Sequence, residues 1–287
     1  MISLFKDPTL EQEYYRCYDK TLNEFGLPFE SRFVPTTFGE THVLRFGEEG
    51  KKPLVLLHGM TMSSAMWYPN VKPFAQDRTV YAIDVMGDFG KSRPAAPLKS
   101  RQEAARWLLE TLDALKLDKA DLAGHSMGGF LALNFSLSCP ERVSKLVLYA
   151  PAGSFHKINL KFFAKIFPAL IFHSERLTDK AFIWLSGNKE PLEPAIRSLI
   201  VAAYRGAMPQ LHVVPSVIPP EEFRGFAVPT LLVIGEKEVI YPAGKVAETA
   251  KSLIADLETR VIPGASHSLT MEHAGIVNEA TLRFLRK

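Results

Sequence analysis

The chain has 287 residues, enough to bury a large hydrophobic core as one α/β domain or as one domain with an inserted subdomain. Its net charge of +3 comes without a run of basic residues, which argues against nucleic acid as a partner. Cys17 and Cys139 lie far apart and lack the spacing of a metal site, so both are expected to be reduced thiols.

The amino-terminal residues lack a basic segment followed by an apolar core, which is the pattern of a secretory signal peptide. No apolar run approaches the roughly 20 residues that a membrane-spanning helix needs. We therefore expect a cytoplasmic protein with no membrane span. The sequence makes no prediction of its oligomeric state.

The first part of the chain predicts one helix and then the start of a sheet. Residues 9–25 carry apolar side chains at helical spacing, and residues 33–37 and 41–46 are typical of two strands in a hairpin. Residues 54–57 form a continuous apolar run, which indicates a strand buried on both faces. From there strands and helices alternate, which predicts a mostly parallel sheet with helices on both faces. Beyond residue 57 the predicted strands are residues 80–85, 120–123, 143–149, 230–235 and 257–262, and the predicted helices are residues 65–75, 101–115, 130–138, 243–254 and 274–285.

The alternation is interrupted between residues 153 and 228, where aromatic residues and prolines punctuate helical pieces. These aromatics predict a helical subdomain with a core of its own, and also a lid that lines an apolar pocket. An insertion at this point of the chain lies at the carboxyl edge of the sheet, where open α/β sheets bind ligands. The predicted organisation is residues 1–152 as the first part of the core, 153–228 as a helical lid and 229–287 as the second part of the core.

The central motif is Gly124-His-Ser126-Met-Gly128, with a predicted strand before it and a predicted helix after it. A sharp strand-to-helix turn of this kind presents a serine hydroxyl as a nucleophile. Glycines two positions away on each side let the strand and the helix approach closely. Ser126 is therefore the predicted nucleophile.

A nucleophilic serine needs a base, and the base needs an acid that orients it. His267 follows the last predicted strand, at the same edge of the sheet as Ser126, which makes it the predicted base. Glu238, in the loop after the preceding strand, is the predicted acid, with Glu236 as the alternative. Asp84 also follows a strand, but it precedes the serine and is expected to tie down the loop after it.

The oxyanion of an acyl-transfer reaction needs two N–H donors. Met127, directly after the nucleophile, is expected to supply one of them. The other is expected from the loop after the strand at 54–57, where Gly59 lets the main chain turn towards the site and Met60 offers its N–H. This chemistry requires no metal and no cofactor.

Several motifs occur together in one order: Gly-His-Ser-Met-Gly-Gly at residues 124–129, the His58-Gly59 turn, the loop from Asp84 to Ser92, Gly235-Glu-Lys-Glu238 and the late His267. In this combination the chain resembles the α/β-hydrolase superfamily over about residues 30–287, apart from the lid. It is most similar to bacterial carboxylesterases, including those that act on esters of arylpropionic acids, whose acid is also a glutamate. The resemblance implies the α/β-hydrolase fold and a triad in the order Ser126, Glu238, His267.

The chain departs from the usual pattern of this superfamily at two places. The loop after the second parallel strand has an extra residue between Gly87 and Gly90, which predicts a reshaped edge of the pocket. The usual acid is aspartate, whereas this chain has Glu238.

The favoured function is a serine esterase that cleaves small-molecule esters with an apolar or aryl part through an acyl-enzyme intermediate. The same residues also serve thioester hydrolysis, C–C bond hydrolysis and peroxyacid formation in the superfamily, and these alternatives stay open. Some members instead bind a small ligand in the lidded pocket and signal to a partner. Dehalogenases and epoxide hydrolases are disfavoured, because their elbow carries aspartate where this chain has Ser126.

Overall fold

A computed structural model describes residues 2–187 and 193–287. The strands within these ranges are β1 (Phe29–Thr36), β2 (Gly39–Phe46), β3 (Pro53–Leu57), β4 (Thr79–Ile83), β5 (Arg93–Pro94), β6 (Ala120–His125), β7 (Val143–Tyr149), β8 (Thr230–Gly235) and β9 (Leu257–Ile262). The helices are α1 (Pro8–Leu22), α2 (Tyr68–Phe74), α3 (Arg101–Ala114), α4 (Met127–Ser138), α5 (Leu160–Phe172), α6 (Glu175–Leu185), α7 (Pro194–Gly206), α8 (Ala243–Leu253), α9 (Leu269–Glu272) and α10 (Ala274–Arg286). Among these described helices, none combines the length and the apolar character that a bilayer span requires.

The described strands form one sheet in the order β1-β2-β4-β3-β6-β7-β8-β9, with the short β5 beside β2. Neighbouring strands from β4 to β9 in this order run parallel, whereas β1, β2 and β5 form an antiparallel end. The predicted mostly parallel sheet is therefore confirmed. Because parallel strands end at one edge of a sheet, the loops after β3, β6, β8 and β9 meet there.

Three of the parallel strands are buried along their whole length. Every residue of β4, β6 and β8 is buried, as expected for strands that helices cover on both faces. The helix α4 packs against β6 and β7, and α10 packs against α2 and β8. Within this layer Asn70 Nδ2 donates a hydrogen bond of 2.8 Å to Asn278 Oδ1, which links α2 to α10.

The structure departs from the predicted elements mainly at short pieces of the chain. The helix predicted at residues 65–75 begins as a 3₁₀ turn at Ser64–Trp67, and the helix predicted at residues 9–25 ends as a 3₁₀ turn at Asn23–Phe25. The strand β5 and the helix α9 were not predicted. They have two and four residues, too few to carry a periodic hydrophobic pattern.

Helices α5, α6 and α7 form a helical insert between β7 and β8, within the segment predicted as a lid. Residues 188–192 of that segment lie outside the described ranges. The side chains of Asn159, Ser174 and Glu193 accept hydrogen bonds from the first turns of the three helices and so fix where each helix begins.

The amino-terminal helix α1 packs against α7 of this insert. Gly206 allows the close approach, because a Cβ there would lie 2.6 Å from Leu10 Cδ1. Arg205 Nη1 and Glu13 Oε1 form an ion pair of 2.9 Å across the same contact. The helix α7 is therefore attached to α1 as well as to its neighbours in the insert.

Candidate active site

Ser126 stands at the corner between β6 and α4, with φ 53° and ψ −114°. Residues other than glycine rarely adopt this backbone conformation, which costs roughly 1–3 kcal/mol. A Cβ on Gly124 would lie 2.2 Å from the carbonyl oxygen of Gly128, and a Cβ on Gly128 would lie 2.1 Å from that of Leu57. The strand and the helix thus approach too closely for any larger residue, which is the geometry of a nucleophile elbow.

His267 and Glu238 approach Ser126 from the loops after β9 and β8. His267 Nε2 lies 3.0 Å from Ser126 Oγ, and His267 Nδ1 lies 3.1 and 3.0 Å from the two carboxylate oxygens of Glu238. The side chains of His267 and Glu238 are only 4% and 0% exposed, so water does not compete for these contacts. The carboxylate accepts a hydrogen bond from Nδ1–H of the imidazole, which leaves Nε2 without a proton and able to accept that of the serine hydroxyl.

The main chain fixes the carboxylate of Glu238. Its Oε1 accepts the N–H groups of Val239 and Ile240 at 2.8 and 2.9 Å. Glu236, the alternative acid, is exposed, and its carboxylate accepts the N–H of Gly264 at 2.7 Å. Of the two candidate acids, the structure brings Glu238 to the imidazole, while Glu236 braces the loop that leads to it.

The two predicted oxyanion donors also lie beside the nucleophile. Met127 is the first residue of α4, where a main-chain N–H has no carbonyl one turn earlier in the helix. The loop after β3 passes so close that a Cβ on Gly59 would lie 3.5 Å from Ser126 Cβ. Met60 follows in this loop and lines the same cavity as Ser126. The roles of Met60 and Met127 as donors stay a prediction.

Comparison with known proteins places this arrangement in a family. The sequence profile described as "Alpha/beta hydrolase family" matches residues 54–280. The chain belongs to the alpha/beta hydrolase family. This hydrolase is 34% identical over 281 residues to carboxylesterase YbfK of Bacillus subtilis strain 168, which covers 95% of this chain and 93% of that protein.

Two solved structures of Bacillus subtilis proteins are similar to this hydrolase over nearly their whole length. The structure of carboxylesterase CesB (YbfK) superposes with a TM-score of 0.90 at 32% identity, covering 96% of this chain and 98% of the other. The naproxen esterase (carboxylesterase NP) superposes with a TM-score of 0.89 at 34% identity, covering 95% and 97%. The predicted α/β-hydrolase fold, with its inserted helices, is therefore confirmed.

In this hydrolase two residues that the sequence did not single out hold the loop of residues 59–61. The N–H of Thr61, which has φ 59°, donates to the carboxylate of Asp88 at 3.0 and 3.1 Å. The hydroxyl of Thr61 lies 2.7 Å from that of Tyr204 on α7. Burial raises the pKa of Asp88 to about 7, although the N–H groups of Phe89 and Thr61 oppose that shift.

Asp88 lies in the glycine loop with the extra residue. The extra residue between Gly87 and Gly90 was the sequence feature that pointed to this loop, since it predicted a reshaped edge of the pocket. The partners Asp88 and Tyr204 are 27 and 143 positions away from Thr61, so no local pattern joins them.

Two histidines next to the motifs make contacts with the main chain. His58 Nδ1 donates to the carbonyl of Gly59 at 2.9 Å, and its Nε2 accepts the N–H of Val85 at 2.8 Å. His125 Nε2 donates to the carbonyl of His267 at 2.8 Å, and burial lowers the pKa of His125 to about 3, so the ring is neutral. Both rings therefore brace the loops around the site.

Asp84 ties down the loop after β4, as its position in the sequence indicated. Its carboxylate accepts the N–H groups of Ser64 and Lys91, each at 2.8 Å, and the hydroxyl of Tyr18 at 3.0 Å. The residue is completely buried and connects α1 with two loops of the core.

The cavity at Ser126 is small. Its volume is about 40 Å³, room for a few water molecules at ~10–15 Å³ each. Helices α5 and α6 contribute apolar side chains to it, and the core contributes methionines: Phe162, Ile166, Phe182 and Leu185 from the insert, and Met60, Met62, Met66 and Met271 from the core.

Proposed function

We propose that this alpha/beta hydrolase is a serine carboxylesterase with Ser126 as nucleophile, His267 as general base and Glu238 as the orienting acid. The observation that carries the proposal is the continuous chain of contacts from Glu238 through His267 to Ser126, each of 3.0 or 3.1 Å. The similarity to carboxylesterase YbfK and to the naproxen esterase over nearly the whole chain supports ester hydrolysis as the reaction.

The proposed reaction proceeds in two steps through an acyl-enzyme. His267 Nε2 takes the proton of Ser126 as Oγ attacks the ester carbonyl, and the same nitrogen then delivers that proton to the leaving alcohol. The N–H groups of Met60 and Met127 stabilise the oxyanion, and losing one such donor costs ~3–4 kcal/mol in a comparable site. Water releases the acyl group by the same sequence of proton transfers. Glu238 stabilises the imidazolium in both steps.

We assign residues 1–152 and 229–287 to the hydrolase core and residues 153–228 to a lid. The apolar side chains that α5 and α6 turn towards Ser126 support this division, because they would contact the acyl part of a bound ester. The methionines on the opposite side are unbranched and can repack around ligands of different shape. We therefore propose small esters with an apolar or aryl acyl group as the substrate class, of which naproxen esters are one example.

The test combines labelling with turnover. A fluorophosphonate should modify Ser126, and the Ser126→Ala variant should lose this label together with roughly 10⁴- to 10⁶-fold in kcat on p-nitrophenyl butyrate. Ser136→Ala is the matched control, since Ser136 is buried on the same helix and only donates to the carbonyl of Ala132. Turnover of p-nitrophenyl butyrate within about tenfold of the unsubstituted protein in a normally folded Ser126→Ala variant would place the main nucleophile elsewhere.

A substrate panel separates ester hydrolysis from the other reactions that the same triad supports. We expect many turnovers on aryl and short acyl esters, and lower kcat/KM on acyl thioesters and on cleavable diketones. Modification of the protein once per chain without further turnover would instead indicate a ligand receptor.

A further inference from the structure

The structure contains a second chain of contacts from a serine through a histidine to a carboxylate. His42 Nε2 lies 2.8 Å from Ser31 Oγ, and His42 Nδ1 lies 2.8 Å from Asp84 Oδ2. The hairpin places them: Ser31 pairs with Leu44 and Phe33 pairs with His42, so Ser31 and His42 are diagonal neighbours on one face of β1 and β2. These distances match those between Ser126, His267 and Glu238.

The carboxylate of Asp84 sets the proton positions in this second cluster. Burial alone would raise the pKa of Asp84, but the hydrogen bond with His42 and other nearby donors hold that pKa well below its usual value. The ionised carboxylate accepts a hydrogen bond from His42 Nδ1–H. His42 Nε2 is then free to accept the proton of the Ser31 hydroxyl, as a general base does in a triad.

Ser31 opens into a cleft that could hold a ligand. The cleft has a volume of about 580 Å³, within the range of small-molecule sites, and Ser31 is exposed while His42 is 1% exposed. Its wall combines apolar and charged side chains: Leu4, Phe5, Tyr15, Phe33, Lys91 and Arg93. A hydroxyl at the surface of a cleft, backed by a buried imidazole, is the arrangement that a small electrophile can reach.

The cations of the cleft already have acidic partners. Lys91 Nζ lies 2.5 Å from Asp19, and Arg93 Nη1 lies 3.1 Å from Glu40. These pairings leave little attraction for an anionic ligand, so the wall suits a neutral one.

We propose that Ser31 is a second nucleophile of this protein, activated by His42 and Asp84, and that it accepts the acyl group of small neutral activated esters. In the step, the bond between Ser31 Oγ and the acyl carbon forms and the ester C–O bond breaks. The hydroxyl proton passes to His42 Nε2 and from there to the leaving alcohol. Water then hydrolyses the acyl-serine and restores the hydroxyl.

The primary experiment uses the full chain with Ser126→Ala, so that the first site is silent. The protein is treated with a small fluorophosphonate, and the modified serines are identified and timed by peptide mass spectrometry. The internal control is Ser252, an exposed serine whose hydroxyl donates to the carbonyl of Thr249. We expect Ser31 to react at least 10-fold faster than Ser252, and equal rates overturn the proposal.

Two further variants connect the reactivity to the cluster. Ser31→Ala in the Ser126→Ala background should abolish the label on that peptide and the residual hydrolysis of p-nitrophenyl acetate. With Ser126 intact, Ser31→Ala should leave turnover of p-nitrophenyl butyrate within about twofold, so the two sites fail or succeed independently. Residual hydrolysis that survives Ser31→Ala contradicts acyl transfer at Ser31.

His42→Gln is the direct test of the base, and because His42 is buried its fold is checked by circular dichroism. A second measurement avoids changing the core. Ser31→Cys and Ser252→Cys are compared for their rate of alkylation by iodoacetamide, because an imidazole within reach lowers a thiol pKa and speeds the reaction. A rate at position 31 at least 10-fold above that at position 252 supports the assignment, and similar rates overturn it.

Discussion

Two clusters of serine, histidine and carboxylate occur in one chain. The contacts from the serine through the histidine to the carboxylate are alike, but the backbone and the cavity around each cluster differ. Ser126 occupies a strained elbow at the start of a helix, whereas Ser31 lies within an ordinary antiparallel strand. The first cluster opens into a cavity of about 40 Å³ and the second into a cleft of about 580 Å³. Matching distances therefore leave open how fast each serine reacts, because the surroundings supply the oxyanion donors and exclude water.

The two carboxylates differ as well. Glu238 accepts two N–H groups of its own loop and the imidazole of His267. Asp84 accepts bonds from α1 and from two core loops in addition to that of His42. Glu238 contacts one imidazole and its own loop, whereas Asp84 also connects α1 with two loops of the core. Replacing Glu238 should therefore lower mainly the catalytic rate, whereas replacing Asp84 should lower mainly the stability of the fold.

The largest expected effect is on catalysis at the first cluster. Glu238→Gln should lower kcat by about 10⁴-fold with little change in KM, because the amide no longer stabilises the imidazolium, as in other serine triads. The measurement is steady-state hydrolysis of p-nitrophenyl butyrate.

Glu236→Gln is the matched control for this prediction, since it lies in the same loop and its amide oxygen can still accept the N–H of Gly264. It should keep kcat within about twofold. A near-normal kcat in Glu238→Gln combined with a large loss in Glu236→Gln would reverse the assignment of the acid.

The next largest effect is on stability at the second cluster. Asp84→Asn presents an NH₂ group to N–H and O–H donors and weakens the contact with His42, so we expect the free energy of unfolding to fall by about 3 kcal/mol. Urea denaturation followed by circular dichroism measures this change.

Asp19→Asn provides the comparison, because its exposed ion pair with Lys91 should contribute less than about 1 kcal/mol. Equal losses in the two variants would mean that the buried contacts of Asp84 contribute no more than a surface pair.

The third effect is on the pH dependence of stability and concerns Asp88, which holds the loop of residues 59–61 beside the first cluster. Its pKa is raised from 3.8 to about 7 in the folded state, so the folded protein binds more protons than the unfolded chain between these values. Stability should then fall as pH rises through this window, with a slope of at most about 1.4 kcal/mol per pH unit. In Asp88→Asn this contribution should vanish, as measured by urea denaturation at several pH values.

Tyr204→Phe is the control for the pH dependence. It removes the contact with the Thr61 hydroxyl but no carboxyl group, so it should lower stability without changing the slope. An unchanged slope in Asp88→Asn would show that this carboxyl does not titrate in the window.

The sequence predicted the parts of the site that have local patterns. Close packing of strand and helix requires glycine at 124 and 128, and loops that follow parallel strands must meet at one edge, so Ser126, Glu238 and His267 could be selected from position alone. The catalytic roles of these residues remain predictions for the experiments above.

The second cluster could not be found in the same way. The first strand was predicted to begin at residue 33, which left Ser31 outside it, and the contact between Ser31 and His42 depends on the register of the hairpin. Their carboxylate, Asp84, lies directly after β4, and it reaches His42 because β4 pairs with β2. Neither the register of the hairpin nor the pairing of β4 with β2 follows from a residue spacing that a single sequence reveals.

The helix α7 differs from the other two helices of the insert in what it contacts. This helix is held to α1 by Arg205 and Glu13 and contacts the loop of residues 59–61 through Tyr204, whereas the cavity at Ser126 is lined by α5 and α6. Arg205 and Tyr204, the residues of α7 that attach it to α1 and to Thr61, are therefore not among the described residues that line the cavity. Substitutions that change the shape of the cavity on α5 and α6 can thus accumulate without touching the contacts that hold the loop of residues 59–61.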